Sequence, residues 1–502
     1  MDQTNLFHII DRFAGLRVLV IGEAMLDVYH KGKTERLCRE APVPVVALNE
    51  SLYVPGGAAN CAVNVASLGA EAVFLSVVGD DLEGTILRRA LEERGVSTGR
   101  VLPAASRRTL VKSRVLAASQ MLLRFDQGSV EPLDAGMEET LIENLVELYP
   151  ECDAVILSDY GYGIFTPRLL EVLARFQAAD EKIFVADSKN LKLFRPLQVT
   201  AVKPNFSEAV HMLGLDPARE GEERAGLIAA HGQEILRLTG AQVAAVTLDT
   251  EGALVFERDC SPYRTYARPA PHSQAAGAGD TFVAALALSL ASGAYTHTAS
   301  ELASAAASIV VGKDNTAACY VDELRAHFFT DEKYISDAFG LAARFSAYRQ
   351  KGLRVVFTNG CFDILHRGHI TYLNKAKSLG DILVVGINAD ASVRRLKGSG
   401  RPINSLEDRV QVLAALSCID HIIAFEADTP HDLIRLVQPD VFVKGGDYRR
   451  ETLPEAPLVE QLGGEVVILP YLEDRSTTSI IERIRHVYTW PSEERLRRVE
   501  KK

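Results

Sequence analysis

From Leu16 to about Val311, short Val/Ile-rich runs alternate with longer amphipathic stretches, and that alternation constrains the fold more than any other feature of the chain. RVLVIG (17–22), AVFLSVVG (72–79), DAVILSD (153–159), KIFVAD (182–187) and VAAVTL (243–248) are almost continuously apolar. Strands of that kind are buried on both faces, as a parallel sheet layered with helices requires. Two segments depart from the pattern. KSRVLAASQMLLRFD (112–126) reads as a hairpin, and APVPVVALNE (41–50) adds another strand-like stretch. Together they predict a small separate β layer, a lid beside the main sheet.

The alternation stops in DELRAHFFTDEKYISDAFGLAARFSAYRQKG (322–352), which is helical and charged in character. It restarts at RVVFTNG (354–360) and runs through DILVVGIN (381–388), HIIAF (421–425), DVFVKG (440–445) and EVVILP (465–470). A single core rarely grows beyond about 300 residues. A chain of 502 therefore needs at least two cores. The expected division is an α/β domain over 1–330, a helical linker over 331–352 and a smaller α/β domain over 353–502.

Composition narrows the function classes. The formal net charge of -11, from 55 Lys and Arg against 66 Asp and Glu, argues against a nucleic-acid-coating protein. Seven scattered cysteines without a CxxC indicate neither a disulfide scaffold nor a cysteine zinc site. No run of 18 apolar residues predicts a membrane span, and the N-terminus has no signal-peptide pattern. These features predict a soluble cytoplasmic protein with no nucleic-acid or membrane partner.

AAGAGDTF (275–282) opens a long Ala/Leu-rich run. Small residues at a helix start let backbone N–H groups converge on an anion, and a carboxylate in that first turn, Asp280, can take the proton of an attacking hydroxyl. An ordinary glycine-rich turn with a dipole-favoured Asp reads the same letters. PGGAANCAVNVASLG (55–69) places a double glycine, including Gly57, before Asn60 at a second helix start, where an amide can meet sugar hydroxyls. Asp27 follows the first strand and can accept from hydroxyls or cap a helix. In KPNFSEA (203–209), Asn205 and Glu208 can reach a hydrated Mg²⁺ or form a capping box. Arg107, Arg108 and Lys112, near the lid, can clamp an acceptor's phosphate or form a solvated edge.

In order, GGAAN (56–60), GDDLEG (79–84), KPNFSE (203–208) and AAGAGD (275–280) make the first 320 or so residues resemble the ribokinase-like carbohydrate kinases. The resemblance implies a layered α/β fold whose β lid often mediates dimerisation, ATP as donor, Mg²⁺ as counterion and room for a monovalent cation. It makes Asp280 the base and Ala276, Gly277, Ala278 and Gly279 the anion hole. Asp27, Gly57 and Asn60 would hold the sugar, and Asn205 and Glu208 the metal–phosphate network, the metal through water.

FTNGCFDILHRGHITYLNKAKSLGD (357–381) is the sharpest motif in the second half. His366 and His369 stand three apart around Gly368 where a helix should begin, so both rings can meet nucleotide phosphates at a helix N-terminus. The segment resembles the HxGH nucleotidyltransferases, a cytidylyltransferase-like group with a Rossmann-like domain. It implies that both histidines stabilise the α-phosphate as pyrophosphate leaves. It also implies phosphate contacts from Asn359, Lys397 and Arg409, and from Ser476, Thr477 and Thr478 in RSTTSII (475–481).

The two halves in this order, with RPIN (401–404) and VKGGDY (443–448) between the later strands, resemble the bifunctional heptose enzymes of Gram-negative bacteria. That resemblance implies phosphorylation of D-glycero-β-D-manno-heptose 7-phosphate at carbon 1 and adenylyl transfer from ATP to heptose 1-phosphate. The product would be ADP-heptose for the lipopolysaccharide core. A separate phosphatase would act between the two steps, and a homodimer would form through the lid. A fusion of the same kind acting on another phosphosugar, or using CTP, shares these phosphate-binding motifs.

Overall fold

The computed structural model describes residues 3–117, 120–216, 224–266, 276–313, 315–328, 333–335, 338–446 and 449–470. Its contacts divide the chain into two compact units, Thr4–Phe328 and Phe329–Lys502, the latter with Met1–Gln3.

The first unit is built on a nine-stranded sheet. Across the sheet the strands run Tyr263–Thr265, Ala253–Glu257, Val243–Thr247, Ala201–Val202, Ile183–Ser188, Ala154–Asp159, Arg17–Gly22, Glu71–Gly79 and Val101–Ala104. The seven from Val243–Thr247 to Val101–Ala104 pair parallel, and the remaining edge is antiparallel. Every residue of Ala154–Asp159 is buried, as its continuous apolar run requires. Two helices that carry site residues, Ala58–Ser67 and Ala278–Ala291, pack against each other and are buried along most of their length. A helix apolar all round, as Ala278–Ala291 is, can only sit inside.

Strands Ala24–Leu37, Pro44–Gly57, Leu110–Ala117 and Gln120–Gln127 form a second, four-stranded sheet. Both segments expected to form a β layer lie in it. The aspartates of the GDD stretch act locally. Asp81 caps helix Leu82–Glu92 through Gly84 N at 2.8 Å and also accepts from Thr109 N (2.8 Å) and Thr109 Oγ1 (2.6 Å). That carboxylate ties a main-sheet strand end to the start of the lid.

The second unit holds a five-stranded parallel sheet in the order His421–Phe425, Ile382–Asn388, Val355–Gly360, Val441–Gly445, Glu465–Leu469. The chain starts at the centre, winds to one edge, then returns to the other. Such an order opens a crevice at the carboxyl ends of Val355–Gly360 and Val441–Gly445, where ligands of this architecture bind.

The stretch expected to be a linker contains a helix, Ala338–Gln350, that belongs to this unit's core. Phe345 is fully buried among Val355, Phe357, Ile423, Ile434 and Phe442. Tyr348 shares a 2.8 Å hydrogen bond with His421 Nε2, and Arg349 donates to Val437 O at 2.9 Å. The aromatic residues in a charged helix decide the matter: they have a core to enter. A fragment beginning at residue 329 should therefore fold cooperatively. One beginning at 353, or a Phe345→Ala variant, should be destabilised by about 3–5 kcal/mol, the usual effect of emptying a large aromatic site. Urea unfolding of the three fragments checks this, and equal midpoints would show that the helix is not part of the core.

Candidate active sites

In the first unit, helix Ala278–Ala291 starts at Gly277, whose φ of 88° lies in the left-handed region. Gly277 has no side chain to cap it, and among the described residues no side chain accepts from the first-turn N–H groups of Ala278, Gly279 and Asp280. A Cβ on Gly277 would fall 2.7 Å from Asn60 Nδ2, so glycine is needed for both the turn and the approach. Backbone donors at such a turn, with the helix dipole, can cradle an anion.

Asp280 is buried in this first turn and held from two sides. Asn60 Nδ2 donates to Oδ2 at 2.8 Å, and the Tyr160 hydroxyl donates to Oδ1 at 2.8 Å. Burial raises its pKa above the ordinary carboxylate value. The Asn60 and Tyr160 hydrogen bonds, with nearby Lys203, pull in the opposite direction. Asn60 is itself placed by Asn64, which donates to Asn60 O at 2.9 Å and accepts from Thr281 Oγ1 at 2.8 Å. Gly57, with φ 57°, turns the chain into that helix.

Asp27 is also buried. It accepts from Arg114 Nη1 at 2.7 Å and from Thr316 Oγ1 at 2.9 Å, and a Cβ on Gly56 would approach its Oδ2 to 2.5 Å. Gly56 thus leaves the carboxylate open at that side. The structure brings Asp27, Gly57, Asn60 and the Ala276–Asp280 turn into one unit around two buried carboxylates, as the sequence motifs predicted that they would group.

Asn205 and Glu208 form a complete capping box. Asn205 Oδ1 accepts from Glu208 N at 2.9 Å and Glu208 Oε2 from Asn205 N at 2.8 Å. Among the described residues no group of three His, Cys, Asp or Glu side chains is arranged to hold a metal. The donor set fits a Mg²⁺ carried mainly by phosphates and water, to which a capping carboxylate still offers lone pairs.

Several residues of this centre carried no sequence signal for a role. Tyr160 lies in DYGYG, a post-strand segment with no assigned contact. Lys203, buried, pairs with Asp187 at 3.2 Å and would lie 3.4 Å from a Cβ on Gly279. Burial acts to lower the Lys203 pKa, but Asp187 and Glu208 outweigh it and hold the ammonium charged. Burial pushes Asp187 up to about 7 against that same lysine. Glu23 is likewise pushed up to about 7 by burial and by Asp159, although Tyr160 N, Ile164 N and Tyr162 N donate to it. It anchors the loop that carries Tyr160.

In the second unit, His366 is the N-cap of helix Arg367–Lys377 and His369 lies in its first turn. The rings stack with centroids 3.9 Å apart, and Phe362 meets His369 edge-on at 5.5 Å. Burial, and then His366, lower the His369 pKa to about 3. A neutral ring at a helix N-terminus can donate one N–H to an anion, and a polyphosphate beside it would draw a proton on. Across the crevice, Lys444 Nζ donates to Asn359 Oδ1 at 2.6 Å, linking the ends of the two central strands. Lys444 was visible in VKGGDY but not singled out.

Asp363 organises the loop between. It accepts from Arg401 and from the N–H groups of Ile403 (2.8 Å) and Asn404 (2.9 Å). Lys397 stands exposed at the end of helix Asp390–Lys397, near Cys361. The phosphate contact expected of Arg409 is corrected by its surroundings. Its side chain is fully buried and donates to Cys361 O (2.6 Å), Asn388 O (2.9 Å), Asn404 O (3.2 Å) and Asp390 Oδ1 (2.7 Å). Its fork braces the loop from within. Ser476, Thr477 and Thr478 lie outside the described residues.

A layered kinase centre and a Rossmann-like phosphate crevice define the class, a carbohydrate kinase joined to a nucleotidyltransferase. Residues 16–323 match the pfkB family of carbohydrate kinases, and residues 357–483 match the cytidylyltransferase-like family. The first unit's fold is that of phosphofructokinase-2 from Escherichia coli, solved with potassium (TM-score 0.50, 21% identity, covering 62% of this chain and 97% of that one). The chain is similar along nearly its whole length to proteins named bifunctional protein HldE. That of Syntrophotalea carbinolica is 39% identical over 489 residues, 96% of this chain and 99% of that protein. That of Mesorhizobium japonicum is 40% identical over 488 residues, 96% and 97%. The chain belongs to the bifunctional HldE family, the ADP-heptose-forming group that its motif order resembles.

The Tyr160 hydrogen bond stabilises the ionised form of Asp280, so its removal raises the carboxyl pKa further. Tyr160→Phe should move the acid limb of the kinase kcat/KM profile to higher pH by about one unit, the equivalent of one lost hydrogen bond to a charge. A profile recorded from pH 5 to 9 checks this. An unmoved or downward-shifted limb would show that Tyr160 does not act on the base.

Proposed function

We propose that the chain carries out two half-reactions of ADP-heptose synthesis, one in each unit, with a separate phosphatase acting between them. The observation that carries the reading is the buried Asp280 carboxylate, oriented by Asn60 and Tyr160 beside an uncapped helix N-terminus. In the first half-reaction the carbon-1 hydroxyl of heptose 7-phosphate attacks the γ-phosphorus of ATP. The hydroxyl proton passes to Asp280, the bond to the ADP oxygen breaks, and ADP leaves.

The remaining roles are part of the same reading. Asp27, Gly57 and Asn60 hold the sugar. The Ala276–Gly279 turn receives the transferring phosphoryl group, and Lys203 places a cation beside it. Asn205 and Glu208 would hold Mg²⁺ through water, and the ion would neutralise charge on the nucleotide phosphates.

In the second half-reaction a phosphate oxygen of heptose 1-phosphate attacks the α-phosphorus of ATP and pyrophosphate leaves. The nucleophile is already an anion, so no general base is needed. His366, His369, Asn359 and Lys397, together with Ser476, Thr477 and Thr478, orient and neutralise the phosphates. The four-stranded sheet leaves Leu37, Leu48, Met121 and Leu123 exposed, which supports pairing of two copies through the lid. No described helix is long and apolar enough to cross a membrane.

Asp280→Asn should lower sugar phosphorylation by about 10²- to 10⁴-fold, the usual contribution of a general base, and leave nucleotidyl transfer at the parent rate. His366→Ala and His369→Ala should do the reverse, lowering nucleotidyl transfer by about 10²- to 10³-fold. Each half-reaction assayed separately in the full-length variants settles the assignment. Near-parental phosphorylation by Asp280→Asn would contradict it.

A further inference from the structure

Lys444 joins the two central strands of the second unit, and beside it lies a carboxylate that the reaction scheme leaves unused. Glu455 immediately precedes helix Ala456–Gln461 and is buried, with 5% of its surface exposed. Its Oε1 lies 3.5 Å from Lys444 Nζ, and among the described residues its Oε2 has no hydrogen-bond partner. A buried carboxylate with so little compensation is costly. Asp363, buried in the same unit, shows the alternative. Both of its oxygens are taken up, by Arg401 and by the Ile403 and Asn404 N–H groups, and they brace a loop. Glu455 braces no loop in that way; among the described residues its ion pair is with Lys444.

The lysine is placed in turn. Nζ donates to Asn359 Oδ1 at 2.6 Å and lies 5.4 Å from the Phe442 ring centroid. Burial lowers the Lys444 pKa, and Glu455 opposes that shift by its charge and by its hydrogen bond. The Cys361 sulfur, from the loop after Val355–Gly360, acts in the same sense as Glu455. Tyr372, from helix Arg367–Lys377, faces the adjoining Gly445, where a Cβ would fall 2.9 Å from its Cε2. Its hydroxyl is engaged elsewhere, with Thr358 Oγ1 at 2.6 Å and Val443 O at 2.9 Å. Glu455 is therefore the carboxylate that keeps this buried ammonium charged. The lysine also fixes its neighbour. An amide has an acceptor end and a donor end, and with Oδ1 of Asn359 engaged by Lys444 the Nδ2 end is the one that can meet an anion.

We infer that Glu455 is a positioning residue for nucleotidyl transfer: it holds the Lys444 ammonium against Asn359, so that the lysine's charge and the amide's N–H groups serve one phosphate in the crevice. The inference rests on the nucleotidyl-transfer reading above and adds a residue that touches no substrate and acts through Lys444. A lysine needs such a partner where an arginine would not, because a buried ammonium gives up its proton readily. The phosphate belongs either to ATP or to heptose 1-phosphate, and the chemistry of the contact is the same for both.

The test records kcat/KM for nucleotidyl transfer by the full-length protein from pH 6 to 10, with ATP and heptose 1-phosphate varied in turn. If the ammonium must be charged, activity falls as pH rises through the lysine's pKa, and removing the neighbouring carboxylate lowers that pKa further. Glu455→Gln should therefore move the alkaline limb to lower pH by about one unit. The substrate whose KM rises identifies the phosphate that Lys444 meets. Lys444→Arg, which stays charged over the whole range, should abolish the limb and make Glu455→Gln silent. Lys444→Met should lower kcat/KM about 10- to 100-fold at neutral pH, the effect of one lost charge-assisted contact, and Glu455→Gln should add no further loss to it. If Lys444→Met folds poorly around an unpaired carboxylate, the double variant removes both charges and stays informative. An unmoved limb, an equal fall at every pH, or losses that add in the double variant would overturn the inference alone. A parent protein without nucleotidyl transfer would overturn the reading of the crevice, and the inference with it.

Discussion

The first unit is organised around keeping one buried carboxylate ionisable. Asp280 lies under the sheet's carboxyl edge, where burial favours its protonated form. It is offset by donors brought from far along the chain: Asn60 from the helix that follows the lid strand Pro44–Gly57, and Tyr160 from the loop after a central strand. Those donors depend in turn on other buried polar groups. Asn64 fixes Asn60 and bonds Thr281, and Glu23 gathers the N–H groups of Tyr160, Tyr162 and Ile164. A network of this kind is stabilising only when every member is satisfied, which explains why so many polar side chains converge on one apolar helix.

The second unit solves a different problem with different means. Its buried Asp363 carboxylate is taken up by Arg401 and by the Ile403 and Asn404 N–H groups, and the proposed reaction, whose nucleophile is already an anion, calls for no general base. Strand order opens a crevice between two adjacent strands, and the Lys444–Asn359 hydrogen bond joins its rims. The two histidine rings stack at the adjoining helix start, and burial, with His366 beside it, lowers the His369 pKa, so that ring can respond to an incoming polyphosphate. Arg409 and Asp363 shape the intervening loop from inside. Charge in this unit is divided between groups proposed to meet the nucleotide and groups, such as Arg409, that hold the loops in place.

Much of the fold was legible because buried parallel strands leave continuous apolar runs, and ten such runs mark strands in the two main sheets. The lid segments showed through shorter, more polar runs. The motif glycines were legible for a local reason: a left-handed turn at Gly277 leaves no alternative residue. What stayed hidden depended on distant packing. Nothing in the letters around Tyr160 says that its hydroxyl will meet Asp280, 120 positions away. The sign of Arg409 was clear but not its burial, so a brace looked like a phosphate clamp. The charged stretch before Arg354 looked like a bridge, because helical charge is visible in sequence and the pocket that receives Phe345 is not.

In the proposed scheme each unit completes one reaction, and the intermediate loses a phosphate outside this chain. The most direct measurement incubates the full-length protein with Mg-ATP and heptose 7-phosphate, with and without a sugar-bisphosphate phosphatase, and weighs the products by mass spectrometry. Heptose 1,7-bisphosphate should accumulate alone, and ADP-heptose should appear only when the phosphatase is present. Formation of a nucleotide-sugar without the phosphatase, or of one that still carries the second phosphate, would contradict it.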